Sequence, residues 1–375
     1  MPFYHAEDSL DRSHSIPFAI ESVLTEEGLP ALEADWNRLS GNAISPNVFS
    51  TFDWFRSWMK SLRQEGQGSH VRPNVLLLKQ DRAVAGIAPL VLRQPSRFGF
   101  SLRKLEFVTI HADYNDLVLG RNSEFETEAV IEHLARTAGQ WEIADLRDLR
   151  DTGNTIARLE RALVRARLHY RLLPENDRCP YLPIRGPWSE TMPQKHLLDT
   201  RRAFRRFQEM AKEGFRVRFV EKPQLEPGLL ERMIVVEAQK HVDGKLSIPV
   251  LGKYFEVFQT LFNTLGPSGW ITVGLVEQED RLVAWRLFYR CGDKLWDYLT
   301  AYDHTYANLS PGKVLIGSAI DHGFAKGLRE LDFLRGEEAY KLRWTSGFKQ
   351  NHRLLIWNRR LKSRFSASAY LKLRA

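Results

Sequence analysis

The segment KLWDYLTAYD at residues 294–303, followed by HTYANL at 304–309 and SPGK at 310–313, decides the fold. The apolar pattern of residues 294–303 predicts a strand, and residues 310–313 predict the start of a helix. Serine is a favoured N-cap, and proline at the first helical position has a preset φ and no N–H to satisfy. Free N–H groups and the helix dipole at such a start attract anions. The residues of this predicted phosphate site are Ser310, Pro311, Gly312 and Lys313. An ordinary capped helix is the alternative interpretation.

The elements around this segment alternate in a way that predicts an α+β domain with a mixed sheet. In the second half the predicted order is helix 200–213, strand 215–220, helices 228–242 and 253–265, strands 270–277, 281–290 and 294–303, helix 311–326, and strands 330–334 and 354–358. Short turns at 279–280 and 292–293 favour an antiparallel meander for the three strands in the middle.

The first half shows the same order, less clearly. It predicts helices 29–39 and 51–62, a hairpin of 74–79 and 83–93, strands 105–111 and 115–119, helix 127–138, strand 141–146 and helix 154–168. Four prolines between 173 and 187 predict a linker. The predicted organisation is an N-terminal tail 1–15, a degenerate unit 16–172, a linker 173–190, a second unit 191–358 and a basic tail 359–375.

Charge is concentrated at the C-terminal end of the chain. The net charge is +8, yet no acidic residue follows Glu338, whereas ten lysines and arginines do. This basic end, and a second cluster between Arg201 and Arg218, would attract phosphates, nucleic acid or anionic lipid. A solvated surface is the alternative. The two cysteines, Cys179 and Cys291, exclude a disulfide scaffold and a cysteine-based zinc site.

The longest apolar stretch, residues 84–92, is shorter than the roughly 20 residues of a membrane helix. The first residues show neither a basic nor an apolar region of the kind found in signal peptides. We therefore expect a cytoplasmic protein, with peripheral contact at the inner membrane as a further expectation from the basic tail.

Residues 309–344 carry a resemblance to a known family. Leu-Ser-Pro-Gly-Lys at 309–313, Gly327, Leu-Asp-Phe-Leu-Arg-Gly-Glu at 331–337, Tyr340-Lys341 and Trp344 resemble a signature of one GNAT branch. That branch comprises acetyltransferase-like proteins associated with bacterial cellulose and exopolysaccharide biosynthesis, and is related to the Fem peptidoglycan aminoacyltransferases. The resemblance covers residues 16 to about 358 and implies a tandem GNAT-like fold.

The resemblance implies transfer of an acetyl or acyl group from acyl-CoA to an amine or hydroxyl of an envelope or exopolysaccharide precursor. Residues 294–303 would be a splayed strand whose N–H groups polarise the thioester carbonyl, and residues 310–313 would hold the pyrophosphate. The usual GNAT pattern there is Gln/Arg-x-x-Gly-x-Gly/Ala, and this chain supplies Gly312 within it. Fem relatives use aminoacyl-tRNA, so tRNA-dependent transfer is an alternative, as is a silent adaptor of a polysaccharide synthase.

Candidate acceptor residues lie on both sides of the predicted splayed strand. Period 2 places Asp297, Leu299, Ala301 and Asp303 on one face, with Arg286 diagonal to Asp297. This pair would position a sugar or peptide, or form a structural ion pair. Further candidates for substrate binding are Tyr114, Asp116, Arg335, Glu337, Tyr340 and Lys341. The candidate general bases are Asp303, at the strand's end, and His241, because the imidazole of histidine ordinarily has a pKa near neutral. The spacing of residues 111–116 fits no metal site, and no metal is expected.

Overall fold

The computed structural model describes residues 18–43, 46–64, 70–94, 96–97, 100–108, 111–120, 123–150, 154–239, 241–242, 245–246 and 250–372. The strands of the first half are β1 (Ala19–Val23), β2 (Val71–Gln80), β3 (Ala83–Arg93), β4 (Ser96–Arg97), β5 (Phe100–Ser101), β6 (Lys104–Phe107), β7 (Val118–Leu119), β8 (Ile143–Arg150) and β9 (His169–Pro183). Its helices are α1 (Glu33–Gly41), α2 (Phe52–Gln64), α3 (Ser123–Arg136) and α4 (Thr155–Arg165).

The second half follows the same order of elements. Its strands are β10 (Phe215–Val220), β11 (His241–Val242), β12 (Lys245–Leu246), β13 (Ile271–Gln278), β14 (Arg281–Cys291), β15 (Lys294–Tyr302), β16 (Glu330–Asp332) and β17 (Gly347–Trp357). Its helices are α5 (Trp188–Thr191), α6 (Leu197–Met210), α7 (Leu229–Glu237), α8 (Val250–Lys253), α9 (Phe255–Leu265), α10 (Pro311–Ala325), α11 (Ala339–Leu342) and α12 (Leu361–Lys372).

Local sequence explains several of these elements directly. The side chains of Trp54, Phe55, Trp58 and Met59 are all buried along α2, as their helical spacing predicts. Strands β2 and β3 form a hairpin in which Gln80 pairs with Ala83. The two residues between them, Asp81 and Arg82, have positive φ values of 49° and 72°. That turn matches the right-handed twist of the strands, which is why such turns are favoured in hairpins.

One mixed sheet of thirteen strands runs through both halves, with helices on both faces. Its order is β1-β2-β3-β6-β8-β17-β9-β16-β15-β14-β13-β10, with β7 paired to β3. Two of its neighbouring pairs are parallel, β6 with β8 and β15 with β16. Each half therefore contains an antiparallel meander that ends in a parallel neighbour, which confirms the predicted α+β tandem architecture.

The last strand of each half lies in the sheet of the other. Strand β9, which ends the first half, pairs with β16 of the second half. Strand β17, near the end of the chain, pairs with β8 of the first half. The two exchanged strands pair with each other at the centre of the sheet. The halves also share one apolar core, in which α2 packs against α9.

The segment predicted as a linker is largely strand β9. The linker prediction was wrong here. It rested on the prolines, since proline cannot donate a hydrogen bond to a neighbouring strand and is normally found at sheet edges. Here the register with β17 is irregular between Gln350 and His352, close to the pairing of His352 with Pro174. The carbonyl of Pro180 still accepts a bond from Phe333 N at 2.9 Å. Tertiary pairing therefore overrides the local preference.

Other boundaries also differ from those predicted. The helix predicted for 228–242 ends at Glu237, and His241 lies in the short strand β11. The strand predicted for 105–111 is confined to β6, and that predicted for 115–119 to β7, with Asn115 forming an isolated bridge to Leu149. The basic segment 359–375 contains helix α12, and the predicted N-terminal tail lies outside the described residues.

The strand exchange predicts that β17 stabilises the first half. Leu354 on β17 is 1% exposed within the apolar core formed by β8, α3 and α4. Replacing it by alanine should lower the free energy of unfolding by about 2–5 kcal/mol, because a cavity remains where the side chain was. The measurement is urea unfolding followed by circular dichroism.

The matched control for this substitution is Leu198→Ala, because Leu198 is 68% exposed. That variant should unfold within about 0.5 kcal/mol of the parent protein. Equal midpoints for Leu354→Ala and Leu198→Ala would contradict the placement of β17 in the core of the first half.

Candidate functional site

The candidate site is a wedge at the carboxyl end of β15, where two neighbouring strands separate. Strand β15 pairs with β16 through Lys294, Leu295 and Trp296, and β16 ends at Asp332. From Asp297 to Tyr302, β15 is paired with β14, and among the described strands none pairs with its other edge. Three consecutive residues of this central strand, 298–300, are partly exposed. This unpaired stretch of β15 is therefore partly accessible, as the splayed-strand prediction requires.

A β-bulge gives the wedge its shape. Leu287 pairs with Leu299 and Phe288 with Asp297, so Tyr298 is the extra residue. A bulge disrupts the ladder locally and increases the twist of the strand. On the opposite edge, Leu334 has a positive φ of 58°, and its N–H donates to Asp332 Oδ1 at 2.9 Å. Strand β15 and the chain after β16 therefore both change direction at the point where they separate.

Helix α10 begins beside this wedge, at the predicted cradle. Ser310 is the N-cap residue with φ 52° and ψ 48°, and its carbonyl accepts from Lys313 N and Val314 N. Its side chain makes no capping bond, which corrects that detail of the prediction. Pro311 is the first helical residue. A Cβ placed on Gly312 would meet nothing within 4 Å. The first turn therefore presents an uncovered backbone at Gly312.

Basic side chains surround the start of α10. Lys313 Nζ lies 2.5 Å from Asp199 Oδ2, and Arg343 Nη1 lies 3.1 Å from the same oxygen. The hydrogen bond from Lys313 and the charge of Arg343 hold the pKa of Asp199 below its ordinary value. Helix α6, which packs on α10, adds exposed arginines at positions 201, 202, 205 and 206. Positive charge therefore outnumbers negative charge around this helix terminus.

The corresponding helix of the first half has the opposite character. Helix α3 carries Glu124 and Glu126 in its first turn. A Cβ on Gly120, just before it, would lie 2.7 Å from the carbonyl oxygen of Ala85 and 2.9 Å from Glu126 Oε1. Carboxylates at a helix start repel phosphates, and the backbone at Gly120, three positions before α3, is covered. An anion site of this kind is therefore built in the second half and not at α3.

The predicted pairing of Arg286 with Asp297 is present beside the wedge. Arg286 Nη1 and Asp297 Oδ2 form an ion pair whose side chains are 3% and 2% exposed. Tyr340 of α11 covers it, with the guanidinium 5.3 Å from the centre of its ring. Burial raises the pKa of Asp297, although Arg286 opposes this shift. The register differs from the prediction, because the bulge at Tyr298 places Arg286 opposite Thr300.

The bulge also changes which residues share a face with Asp297. Leu299 and Ala301 were predicted on that face, but they pack in the apolar core shared by α2 and α9. One inserted residue reverses the alternation of side chains along a strand. Asp297 therefore faces Tyr340, while Leu299 and Ala301 face the opposite side of the sheet.

Arg335 and Lys341 gather at the second edge of the wedge. Arg335 Nη1 lies 3.1 Å from both carboxylate oxygens of Asp148, and its Nε lies 3.5 Å from Asp113 Oδ1. Lys341 is 5% exposed, and its Nζ donates to the carbonyl of Arg335 at 2.7 Å. The predicted residues Arg335, Tyr340 and Lys341 are thus brought together. Glu337 instead forms a bidentate pair with Arg178 of β9, at 2.7 and 2.8 Å.

Tyr114 and Asp116 occupy different environments from one another. Tyr114 is 2% exposed, its hydroxyl donates to Asp332 at 2.9 Å, and its ring packs on Trp296. Tyr114 is therefore a buried contact between the two halves, and this favours a structural role over the predicted contact with an acceptor. Asp116 is partly exposed, and its Oδ1 accepts from Leu117 N. Burial raises the pKa of Asp116 to about 6.

Asp303 and His241, the two predicted general bases, lie at a helix cap and in a short strand. Asp303 Oδ1 accepts from Thr305 N and Oγ1, and its Oδ2 accepts from Arg281 at 2.6 Å. Burial raises its pKa, but these bonds outweigh burial and hold the pKa of Asp303 below its ordinary value. A carboxylate held ionised in this way is a weak proton acceptor, so these contacts favour a capping role. His241 lies in β11, and its side chain is outside the described residues.

Sequence reasoning missed Asp113 and Asp148 as members of this site. Asp113 was considered only within a metal pattern, and Asp148 stands in a strand with an unusual positive φ of 54°. They are 35 positions apart and meet through Arg335, which is 187 positions from Asp148. The backbone strain at Asp148 leaves no pattern in the sequence, so no local signal reveals this group.

A separate cavity lies between α2 and α9. Its volume is about 400 Å³, and its lining includes Asp53, Lys60, Glu256 and Thr264. None of its lining residues belongs to the wedge or to the start of α10. Cavity size therefore does not identify the candidate site, and the chemistry of the strand edges does.

The comparison with protein families places this geometry in a known class. Residues 194–342 match the model of the acetyltransferase (GNAT) domain, and this range contains β15, α10 and α11. This part of the second half is therefore similar to the GNAT acetyltransferase domain. No curated protein sequence matches the chain.

Solved structures extend the similarity to both halves. FemX is 10% identical, with a TM-score of 0.56, over 87% of this chain and 96% of that chain. A conserved protein of unknown function from Bacteroides thetaiotaomicron is 11% identical, with a TM-score of 0.58, over 90% of this chain and 100% of that chain. At such identities the similarity concerns the fold alone, and it extends over both halves of the chain.

Of the helices formed by the described residues, none combines the length and the apolar character needed to cross a membrane. Within the same described ranges, no three His, Cys, Asp or Glu side chains come together as a set of metal ligands.

The buried pair of Arg286 and Asp297 gives a prediction about stability. Asp297→Ala should lower the free energy of unfolding by about 3–5 kcal/mol, because it leaves the guanidinium buried without its partner. The double variant Arg286→Met/Asp297→Leu should recover most of that loss, since it removes both charges. Chemical denaturation of the three proteins at pH 7 measures these differences.

The matched control is Asp35→Ala, which breaks an exposed pair with Arg38 at 2.8 Å. That change should cost less than about 1 kcal/mol, because water screens exposed charges. A loss for Asp297→Ala as small as that for Asp35→Ala would show that the Arg286–Asp297 pair is not desolvated.

Proposed function

We propose that this protein is an acyltransferase that moves an acetyl or longer acyl group from acyl-CoA to an amine or hydroxyl. The acceptor we propose is an envelope or exopolysaccharide precursor, as the resemblance of residues 309–344 implies. The observation that carries the proposal is the open wedge at β15 beside an uncovered, positively charged helix start. The GNAT domain assigned to residues 194–342 supports the type of reaction.

The donor side of the proposal rests on two neighbouring features. The free edge of β15 offers backbone N–H groups to a thioester carbonyl, where fixed donors stabilise developing negative charge. The first turn of α10, open at Gly312, offers N–H groups to a diphosphate. Lys313 and Arg343 stand beside that turn, and Asp199 balances only part of their charge. A CoA thioester has its diphosphate and its acyl carbonyl at opposite ends, which fits this arrangement.

The acceptor side rests on the polar groups around the same wedge. Arg286 and Asp297, with Tyr340 over them, form one wall, and Arg335 with Lys341 forms the other. Tyr340 is 38% exposed, so its ring is the part of this wall that solvent reaches, and the ion pair behind it is buried. Hydrogen-bonding and charged side chains of this kind suit a sugar or an amino-sugar better than an apolar acceptor.

The proposal predicts that Gly312→Asp abolishes or strongly weakens binding of acetyl-CoA. A carboxylate at this point of α10 repels the diphosphate, and about 1–2 kcal/mol of repulsion corresponds to roughly five- to thirtyfold in affinity. Folding should be preserved, because acidic residues stabilise a helix start and a Cβ here meets no neighbouring atom. Isothermal titration calorimetry with acetyl-CoA, longer acyl-CoAs and CoA measures the effect.

Gly312→Ala is the matched control, because it adds the Cβ without the charge. It should bind acetyl-CoA more tightly than Gly312→Asp does. No heat from the parent protein with any acyl-CoA, or equal affinity for the parent and Gly312→Asp, would argue against the proposed donor site.

A second candidate function is transfer from aminoacyl-tRNA, which the Fem resemblance suggests. The observation in its favour is the row of exposed arginines on α6, at positions 201, 202, 205 and 206, next to the start of α10. Such a row would bind a phosphate backbone and would release counterions in doing so.

This candidate predicts that tRNA binding falls steeply with salt. If four phosphates are contacted, affinity should change by roughly the third to fourth power of salt concentration. Filter binding between 50 and 200 mM salt measures the slope, and Arg201→Gln/Arg205→Gln should reduce it. The absence of binding at low salt would remove this candidate and leave acyl-CoA as the donor.

The basic end of the chain belongs to the proposal as a contact surface. Arg359, Arg360, Lys362 and Arg364 are exposed at the start of α12. We propose a cytoplasmic protein whose α12 contacts an anionic membrane surface or a polysaccharide synthase. Ser363 anchors the helix, because its hydroxyl accepts from Asn358 N at 3.1 Å. The exposed charges are therefore held on a fixed support.

A further inference from the structure

A short segment of the first half, residues 111–113, lies across the wedge of the second half. The hydroxyl of Tyr298, the bulged residue of β15, donates to the carbonyl of His111 at 3.0 Å. Arg335, three positions beyond the end of β16, has its Nε 3.5 Å from Asp113 Oδ1. The segment is thus connected to both edges of the wedge, although it belongs to the other half of the chain.

The backbone of Asp113 is fixed by a third contact. Asn351 of β17 donates from Nδ2 to the carbonyl of Asp113 at 2.7 Å. The Asp113 side chain is 17% exposed, so it is not wholly enclosed by protein. A carboxylate that is fixed through its backbone and partly exposed next to the wedge satisfies one geometric condition for proton transfer to a molecule bound there.

The charged and titratable groups facing Asp113 come from several elements. They are Arg335 and Lys341, which lower its pKa, together with Asp148, Cys179 of β9 and Tyr298 of β15. Burial is the largest influence and raises the pKa of Asp113 to about 7, with Asp148 adding to the rise. The carboxyl therefore changes charge near neutral pH, whereas Asp303 is held ionised by its own hydrogen bonds.

Resting on the acyltransferase function proposed above, we infer that Asp113 is the general base of the transfer. The acceptor nitrogen or oxygen attacks the thioester carbonyl carbon, and a new C–N or C–O bond forms. The acceptor's proton passes to the Asp113 carboxylate. The C–S bond breaks with its electron pair on sulfur, and CoA leaves as a thiolate that takes a proton from solvent. The first half thus supplies a catalytic residue to the second.

This inference explains why a GNAT domain that holds the donor still carries a second unit. The base that lies at the wedge comes from the segment after β6, in the half whose own helix start is closed to phosphates. The strand exchange keeps that segment in place, since Asn351 of β17 holds Asp113 while β17 pairs with β8.

The kinetic test measures thiol release from acetyl-CoA, with glucose and with water as probe acceptors that do not titrate, between pH 5.5 and 8.5. For the parent protein, kcat/KM should fall tenfold per pH unit below pH about 7, because a protonated base cannot accept a proton. Asp113→Asn should lower kcat/KM by about 10²–10⁴-fold. It should also abolish the fall of kcat/KM below pH about 7, which we call the acid limb. Asp113→Asn should still bind acetyl-CoA in calorimetry as the parent does.

Asp53→Asn is the matched control for the kinetic test. Burial raises the pKa of Asp53 as well, but this residue lies on α2 and lines a different cavity. That variant should keep both the rate and the acid limb. If Asp113→Asn keeps the limb while acetyl-CoA binds normally, the inference about Asp113 fails and the proposed function stands. If the parent binds no acyl-CoA, both fail.

A second measurement needs no acceptor. A carboxyl whose folded-state pKa is raised from 3.8 to about 7 stabilises the folded protein at low pH, and this contribution is lost as pH rises through 7. Asp113→Asn lacks that titration, so its stability relative to the parent should increase between pH 5 and pH 8. Urea midpoints across this range measure it and test whether the Asp113 carboxyl titrates near neutral pH, which the inference requires.

Asp303→Asn serves as the control for the stability measurement, because the pKa of Asp303 is lowered. Its stability relative to the parent should be constant between pH 5 and pH 8. A constant difference for Asp113→Asn over the same range would overturn the inference, since the carboxylate would then be ionised throughout and unable to respond near neutral pH.

Discussion

The parallel contact between β15 and β16 is short, and the site depends on that shortness. Three residue pairs join the two strands before β16 ends at Asp332. A longer pairing would saturate the edge of β15 and close the wedge, because paired strands lie less than about 5 Å apart. The bulge at Tyr298 and the positive φ of Leu334 direct the two strands away from each other. Arg335 and Lys341, proposed for the acceptor side, follow β16 at the edge of the space that results.

The exchange of β9 and β17 joins the two units into one folded body. Because each strand pairs within the other unit, neither sheet is complete without both halves of the chain. Tyr114 reinforces the junction through its bond to Asp332, the last residue of β16. The same junction carries Asp113 and Asp148 to Arg335. A stable interface and a candidate acceptor site are therefore formed by the same elements.

The two units have kept the same order of elements but differ in charge. The start of α10 is open and has Lys313 beside it, whereas the start of α3 carries Glu124 and Glu126 and is covered at Gly120. The helix dipole attracts anions at the N-terminus of each of these two helices, yet local carboxylates cancel the attraction at α3. In our proposal the second unit binds the donor and the first unit contributes through its contacts with the wedge.

Much of this was accessible from the sequence, because it rests on interactions between near neighbours in the chain. Helical spacing determined the buried face of α2, turn residues determined the hairpin of β2 and β3, and the segment at 310–313 determined where α10 begins. The tertiary structure alone decided the rest. It made β9 from a proline-rich segment, shifted the partners of Asp297 by one bulge, and brought Asp113 to Arg335. Such outcomes depend on strand pairing over long separations in the chain, where the energy of the contact outweighs any local preference and leaves no periodic pattern to detect.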